Sequence, residues 1–138
     1  MTMLGLLIAL IFALLGGLHV YWAVGGISRA SAAIPQVNGR QAFTPSRLTT
    51  LLVAIALFVA ALIVLGRIGM LADIVPTWLF RYGVWGLFAV FLLRAIGDFR
   101  LVGLFKRIRD TRFAYFDTRL FTPLCLALAV GLLILTQR

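Results

Sequence analysis

Apolar residues run in four long blocks along this chain, and the polar residues collect between them. Met1 to Ser28 contains no Lys, Arg, Asp or Glu. About 20 apolar residues suffice to cross a bilayer as a helix, so this block predicts a span over residues 4–24. Residues 25–45 then carry Gly25-Gly26, Pro35, Asn38-Gly39 and Pro45, all turn or breaker signals. Thr44 followed by Pro45 suits a helix start, and the uncharged block after it predicts a second span over 46–66. Arg67 to Pro76 reads as a short turn. A third span is expected over 77–97, a basic loop over 98–119 and a fourth span over 120–136. The expected fold is therefore all-α: an integral membrane four-helix bundle forming a single domain over residues 1–138. A cleavable leader is the competing reading of the first block, and Ala30-Ser31-Ala32 resembles a cleavage site. The basic segment that should precede it is missing, the apolar stretch is too long and Arg29 intervenes, so the block is expected to stay as a helix.

Composition supports the membrane. With 63% hydrophobic and 12% charged residues, the chain has too few charges to coat a soluble domain of 138 residues. The net charge of +9 comes from thirteen Lys and Arg against four acids, all Asp. In a soluble protein such an excess suggests nucleic acid. Here the bases flank apolar blocks, which points to membrane topology and an anionic inner leaflet as partner instead. Arg29, Arg40, Arg47, Arg100, Lys106, Arg107, Arg109, Arg112 and Arg119 fall on one side, against Arg67, Arg81 and Arg138 on the other. Nine against three places loops 25–45 and 98–119 in the cytoplasm and both termini outside. The same imbalance argues against a dual-topology dimer. Trp78, Tyr82 and Trp85 are expected in the outer aromatic belt, with Tyr21 and Trp22 in the inner one.

Polar chemistry concentrates near the cytoplasmic mouth. Only twelve residues separate Arg81 from Arg94, so their Cα atoms lie ~20 Å apart in a hydrocarbon layer ~30 Å thick. Either both guanidiniums snorkel, or Arg94 turns into the bundle and is paired there. Asp98, four residues on, is the expected partner. His19 sits at a similar depth and Asp117 just before the fourth span. His19, Arg94, Asp98, Arg100, Lys106 and Asp117 are thus expected to converge, either as a network fixing helix ends or as a ligand site. Leu101, Leu104, Phe105 and Ile108 recur at helical spacing with the bases elsewhere on the wheel. That pattern predicts a short basic amphipathic helix between spans three and four, lying on the inner leaflet.

Other chemistry is poorly served. One His, four scattered Asp and the single Cys125 supply no metal cluster, no CxxC pair and no second axial histidine for haem. No phosphate loop, nucleophile elbow or HExxH occurs, so no cofactor is expected. His19 with Asp98 or Asp117 remains chemically possible as a base and its orienting acid.

The runs His19-Val-Tyr21-Trp22-Ala-Val-Gly25-Gly26, Arg94-Ala-Ile-Gly97-Asp98-Phe99-Arg100, Gly103-Leu-Phe105-Lys106, Phe113-Ala114, Asp117-Thr118 and Pro123-Leu-Cys125 resemble a family of short bacterial four-helix membrane proteins. That family is catalogued only as a domain of unknown function. The resemblance spans nearly the whole chain and implies a bacterial cytoplasmic membrane, but no activity or cofactor. Two readings follow. The first is a non-enzymatic module that binds an anionic group or lipid headgroup. Arg94, Arg100 and Lys106 make the contacts, Asp98 and Asp117 orient them, and His19, Tyr21 and Trp22 form a wall. An accessory role, with a membrane protein partner or a homo-oligomer, is a variant of it. The second is a small transporter or membrane enzyme with a path between the spans near His19 and Arg94.

Overall fold

A computed structural model describes residues 1–71 and 74–137, with the side chains of Ile27 and Arg29 also outside the description. Ala72 and Asp73 of the short turn, and Arg138 of the charge count, therefore lie outside the described residues. Four helices are long and apolar enough to cross a membrane, as the blocks predicted: α1 (Thr2–Gly25), α2 (Arg47–Arg67), α3 (Thr77–Ile96) and a fourth over Arg112–Thr136.

The fourth helix is composite. It comprises α4 (Arg112–Phe116), a π-helical turn (Asp117–Phe121) and α5 (Thr122–Thr136). The Thr111 hydroxyl caps its start by accepting from the Ala114 amide at 3.1 Å. The wide turn sits immediately before Pro123, which lacks a donor and would press its ring on the carbonyl four residues back. Shifting to the looser hydrogen-bond pattern, with the Thr122 amide donating to the Asp117 carbonyl, lets the helix continue. The span thus starts eight residues earlier than expected, and Asp117 belongs to the helix rather than to a loop.

The helix starts differ for equally local reasons. Ser46, not Thr44, caps α2: its Oγ accepts from the Thr49 amide at 3.1 Å, and the Thr49 and Thr50 hydroxyls return bonds to its carbonyl at 2.9 Å each. Between α1 and α2 lie a 3₁₀ segment (Ile27–Ala33) and a two-stranded ribbon, β1 (Gln36–Val37) and β2 (Arg40–Gln41). Asn38 and Gly39 close it with φ of 52° and 74°, the left-handed pair that a tight hairpin requires.

In the bundle, α1 packs chiefly against α2 and α3 against α5, while α2 against α3 and α1 against α5 complete the ring. Ile8, Phe12, Val64, Val84, Leu128 and Leu132 fill the centre, with Ala60 and Ala61 letting the helices close up. Leu7, Leu10, Leu14, Leu52, Val59 and Leu62 face outward, as lipid-facing side chains do. The two connections 26–46 and 97–111 sit at one end of the bundle, hereafter the basic end.

The segment Leu101–Ile108 is not the amphipathic helix that its periodicity predicted. It is a series of turns and bends. Two features forbid the helix: Gly103 has φ of 90°, and Lys106 is buried with 4% exposure where a surface helix would hold it in water.

Candidate functional site

Asp117 organises the basic end. Its carboxylate is wholly buried and accepts four hydrogen bonds. Arg94 Nη2 donates to Oδ1 at 2.8 Å, while Oδ2 takes the Gly103 amide at 2.9 Å, Lys106 Nζ at 3.0 Å and the Thr122 hydroxyl at 3.1 Å. Lys106 Nζ also donates to the Gly103 carbonyl at 3.0 Å. α3, the loop and the fourth helix are therefore joined through one side chain. A buried charge needs such partners, because desolvation costs several kcal/mol per ion in order of magnitude. Arg94 does turn into the bundle, as one of the two readings held, but its partner is Asp117 and not Asp98.

Asp98 has another task. Gly97 leaves the helix with φ of 88°, so the i, i+4 geometry on which an Arg94–Asp98 pair depends ends one residue too soon. Asp98 Oδ1 instead accepts from the amides of Arg100, Leu101 and Val102 at 2.9, 2.7 and 2.9 Å. Burial alone would raise this carboxyl, but the amides of Arg100, Val102 and Leu101 outweigh it and hold it below the usual carboxylate range.

The turn so built doubles back. The Leu104 amide donates to the Ala95 carbonyl at 2.9 Å, and the Arg107 and Ile108 amides both donate to the Arg100 carbonyl at 3.0 Å. Residues 99–105 therefore lie beside the last turn of α3 instead of extending away from it. Phe99, Leu104 and Phe105 are 57%, 50% and 58% exposed, and the two phenyl rings stack at 5.9 Å. Arg100, Arg107 and Arg109 of the same segment are also exposed.

His19 stands apart from this cluster. Its Nδ1 lies 2.8 Å from the Leu15 carbonyl, and its ring meets that of Trp22 edge-on at 5.0 Å. Both line a cavity of about 600 Å³ with Ala30, Ala33, Ile34, Phe43, Pro45 and Val53, and with the hydroxyl residues Thr44, Ser46, Thr49 and Thr50. Arg94 does not line it. Tyr21 is exposed on the other side of the same helix turn. Of the six residues expected to converge, the structure brings together Arg94, Lys106 and Asp117, with Asp98 and Arg100 in the adjoining turn. It separates His19 and Trp22 into the cavity. Thr122 and the Gly103 amide, which complete the shell of Asp117, were missed. A hydroxyl five residues after a buried acid, across a proline-induced turn, is the signal that points to Thr122.

Among the described residues, no three His, Cys, Asp or Glu side chains come together as a metal site. No curated protein and no solved structure matches the chain. A family model described as "Protein of unknown function (DUF3995)" matches residues 12–132. That range holds all of the polar hub, the doubled-back loop and the His19 cavity, so it is to this family of unknown function that the chain belongs.

Proposed function

We propose that the protein is a non-enzymatic membrane module that holds anionic phospholipid at its basic end. The observation that carries this reading is the loop wedge: Phe99, Leu104 and Phe105 exposed beside the last turn of α3, with Arg100, Arg107 and Arg109 exposed in the same segment. Arg94 Nη2 and Lys106 Nζ are both committed to Asp117. Their part is to hold the loop in shape. The contacts to lipid phosphate pass to Arg100, Arg107 and Arg109. Burying each phenyl ring in the acyl boundary contributes roughly 1.5–3 kcal/mol, and each base near an anionic surface about 1 kcal/mol. The excess of Lys and Arg at this end supports a cytoplasmic side for it, and the family resemblance supports a bacterial inner membrane. A transporter or enzyme using His19 together with Arg94 is less well supported. The cavity that reaches His19 stops short of Arg94, and Phe12, Val64, Val84 and Leu132 fill the bundle centre.

Native mass spectrometry of gently extracted protein tests the reading. Wild type should retain anionic phospholipid, and Arg100→Gln with Arg107→Gln and Arg109→Gln should lose most of it. Phe99→Ser with Phe105→Ser should lose it as well. Equal retention by all three proteins removes the wedge from lipid binding. Co-purification of a stoichiometric membrane protein, lost with the same substitutions, would assign the surface to an accessory-subunit role.

A further inference from the structure

The cavity at His19 has a polarity of its own that lipid anchoring does not use. A backbone carbonyl only accepts, so the 2.8 Å contact with the Leu15 carbonyl requires the proton on His19 Nδ1. In the neutral ring Nε2 is then a bare lone pair, and it takes no partner among the described residues. The hydroxyls of Thr49 and Thr50 likewise spend their protons on the Ser46 carbonyl, which leaves their oxygens as acceptors, that of Thr49 already taking the Ser46 hydroxyl at 3.0 Å. His19 Nε2 and the Thr50 hydroxyl of this cavity therefore ask for donors, while the Trp22 indole N–H is a donor on the same wall. No Lys, Arg, Asp or Glu lines it among the described residues. The rest of the wall is apolar and aromatic, with the Trp22 indole and the Phe43 ring contributing flat surfaces. His19 lies six residues from the end of α1, about 9 Å along the helix, at the depth of the upper acyl chains. The volume, about 600 Å³, is in the range of sites that enclose small organic ligands.

We propose that this cavity binds a neutral, hydrogen-bond-donating aromatic headgroup, a phenol or quinol dissolved in the bilayer. Its ring lies against Trp22 and Phe43 and one hydroxyl donates to His19 Nε2. A second hydroxyl finds its acceptor at Thr50. The α2 start, held by the Ser46 cap, and the 3₁₀ segment through Ala30 and Ala33 form the walls that fix its size. Among the described residues no charged side chain lines the site to pair with a charged lipid headgroup. The site is thus separate from the basic wedge and stands or falls independently of it.

His19 is the only histidine in the chain, so protein labelled with ¹⁵N-histidine gives ring resonances from this residue alone. The probes are a decyl-tailed 1,4-benzoquinol, kept reduced, and its dimethyl ether, which has the same ring and tail but no donor. In lipid nanodiscs the quinol should move the Nε2 resonance saturably and leave Nδ1 protonated. The ether should bind about a hundredfold more weakly, the worth of two hydrogen bonds at the upper end of their range, and should leave Nε2 unmoved. Ala33→Phe, which fills the cavity without touching His19, should abolish the quinol response. By calorimetric titration, His19→Phe should cut the preference for quinol over ether by about tenfold, leaving the share of the second hydroxyl, and His19→Gln, which restores an acceptor, should recover part of it. An Nε2 resonance unmoved at saturating quinol would overturn the assignment. So would equal shifts from quinol and ether, or a full quinol response in Ala33→Phe.

Discussion

Removing the Asp117 carboxylate should be the most damaging single change at the basic end. In Asp117→Ala four donors lose their acceptor together: the Arg94 guanidinium, the Gly103 amide, the Lys106 ammonium and the Thr122 hydroxyl. The most costly consequence falls on Lys106, whose side chain is only 3% exposed. Without the carboxylate it is a buried charge with one carbonyl for company, and removing one partner of a buried pair costs about 3–5 kcal/mol. Lys106→Met should cost less. Asp117 then keeps Arg94, the Gly103 amide and Thr122, and the losses are the hydrogen bond to the carboxylate, about 1.5–3 kcal/mol, and the one to the Gly103 carbonyl. The stem of Met also refills the space of the lysine chain, trimming that figure further. Asp117→Ala combined with Lys106→Met should be milder than the sum of the two, since no buried ammonium remains to be stranded. The non-additivity for residues in contact is about 0.5–3 kcal/mol.

The assay is unfolding by SDS titrated into mild-detergent micelles, followed by far-UV circular dichroism, with amide exchange at Gly103 as a local readout. In the SDS-unfolded state both charges reach water, so the burial term belongs to the folded state alone. The expected order of destabilisation is Asp117→Ala, then Lys106→Met, with loss of Gly103 protection only in the first. If Asp117→Ala unfolds within about 1 kcal/mol of wild type, as an average substitution does, the hub does not hold the loop to the bundle. Strict additivity in the double variant would refute the stranded-charge argument specifically.

Three further outcomes test the loop and its turns. Gly97→Ala should destabilise strongly, because the new Cβ would overlap the Val102 carbonyl and the backbone at φ 88° suits glycine. Gly39→Ala has φ of 74° but nothing within 4 Å, so it should lose only the left-handed strain of about 1–2 kcal/mol. Thermal melts in detergent rank the two. Asp98 carries a pH dependence whose sign follows from its lowered carboxyl. Its contribution is complete above the ordinary carboxylate value near ~3.9 and is lost as pH falls through the lower folded value. Protection of the Arg100, Leu101 and Val102 amides should therefore collapse in acid in wild type, and should be weak and flat with pH in Asp98→Ala. Ser46→Ala removes the cap of α2 and should cost about 0.5–2 kcal/mol, again by melting, and should also loosen the cavity wall so that quinol affinity falls with it.

The four spans were legible because each is a block of uncharged residues long enough to cross a bilayer, and no tertiary detail was needed to see them. Charge was a poorer guide to where they end. Arg112, Asp117 and Arg119 argue on hydropathy for a start at 120, yet the helix begins at Arg112. A window average treats every charge as belonging to water. Asp117 is instead matched by donors from α3, from the loop and from its own helix. Arg94 stands 23 residues away in sequence, and spacing alone cannot single it out. The Leu101–Ile108 periodicity misled for the converse reason. It has a helical repeat, but Gly103 adopts φ 90° and Lys106 is drawn inward, and neither choice is visible until Asp117 is known to lie beneath them.

That one buried acid also explains why the basic end divides into unlike parts. By taking Arg94 Nη2 and Lys106 Nζ, it engages two of the cations that sequence reasoning assigned to a ligand. By fixing Gly103 and Lys106, it turns the loop back along α3, which sets Phe99 and Phe105 beside the helix end and leaves Arg100, Arg107 and Arg109 outside. The His19 cavity lies between α1 and α2, which contribute nothing to the hub, and its walls rest on the Ser46 cap and the 3₁₀ segment. The two regions should therefore respond to different perturbations. Substitutions at Asp117 or Lys106 should disturb the wedge and its lipid while leaving the His19 Nε2 resonance in place. Ala33→Phe should silence the cavity while phospholipid retention persists. A single substitution that abolished both by any route short of unfolding would show that the two halves of this end act as one site.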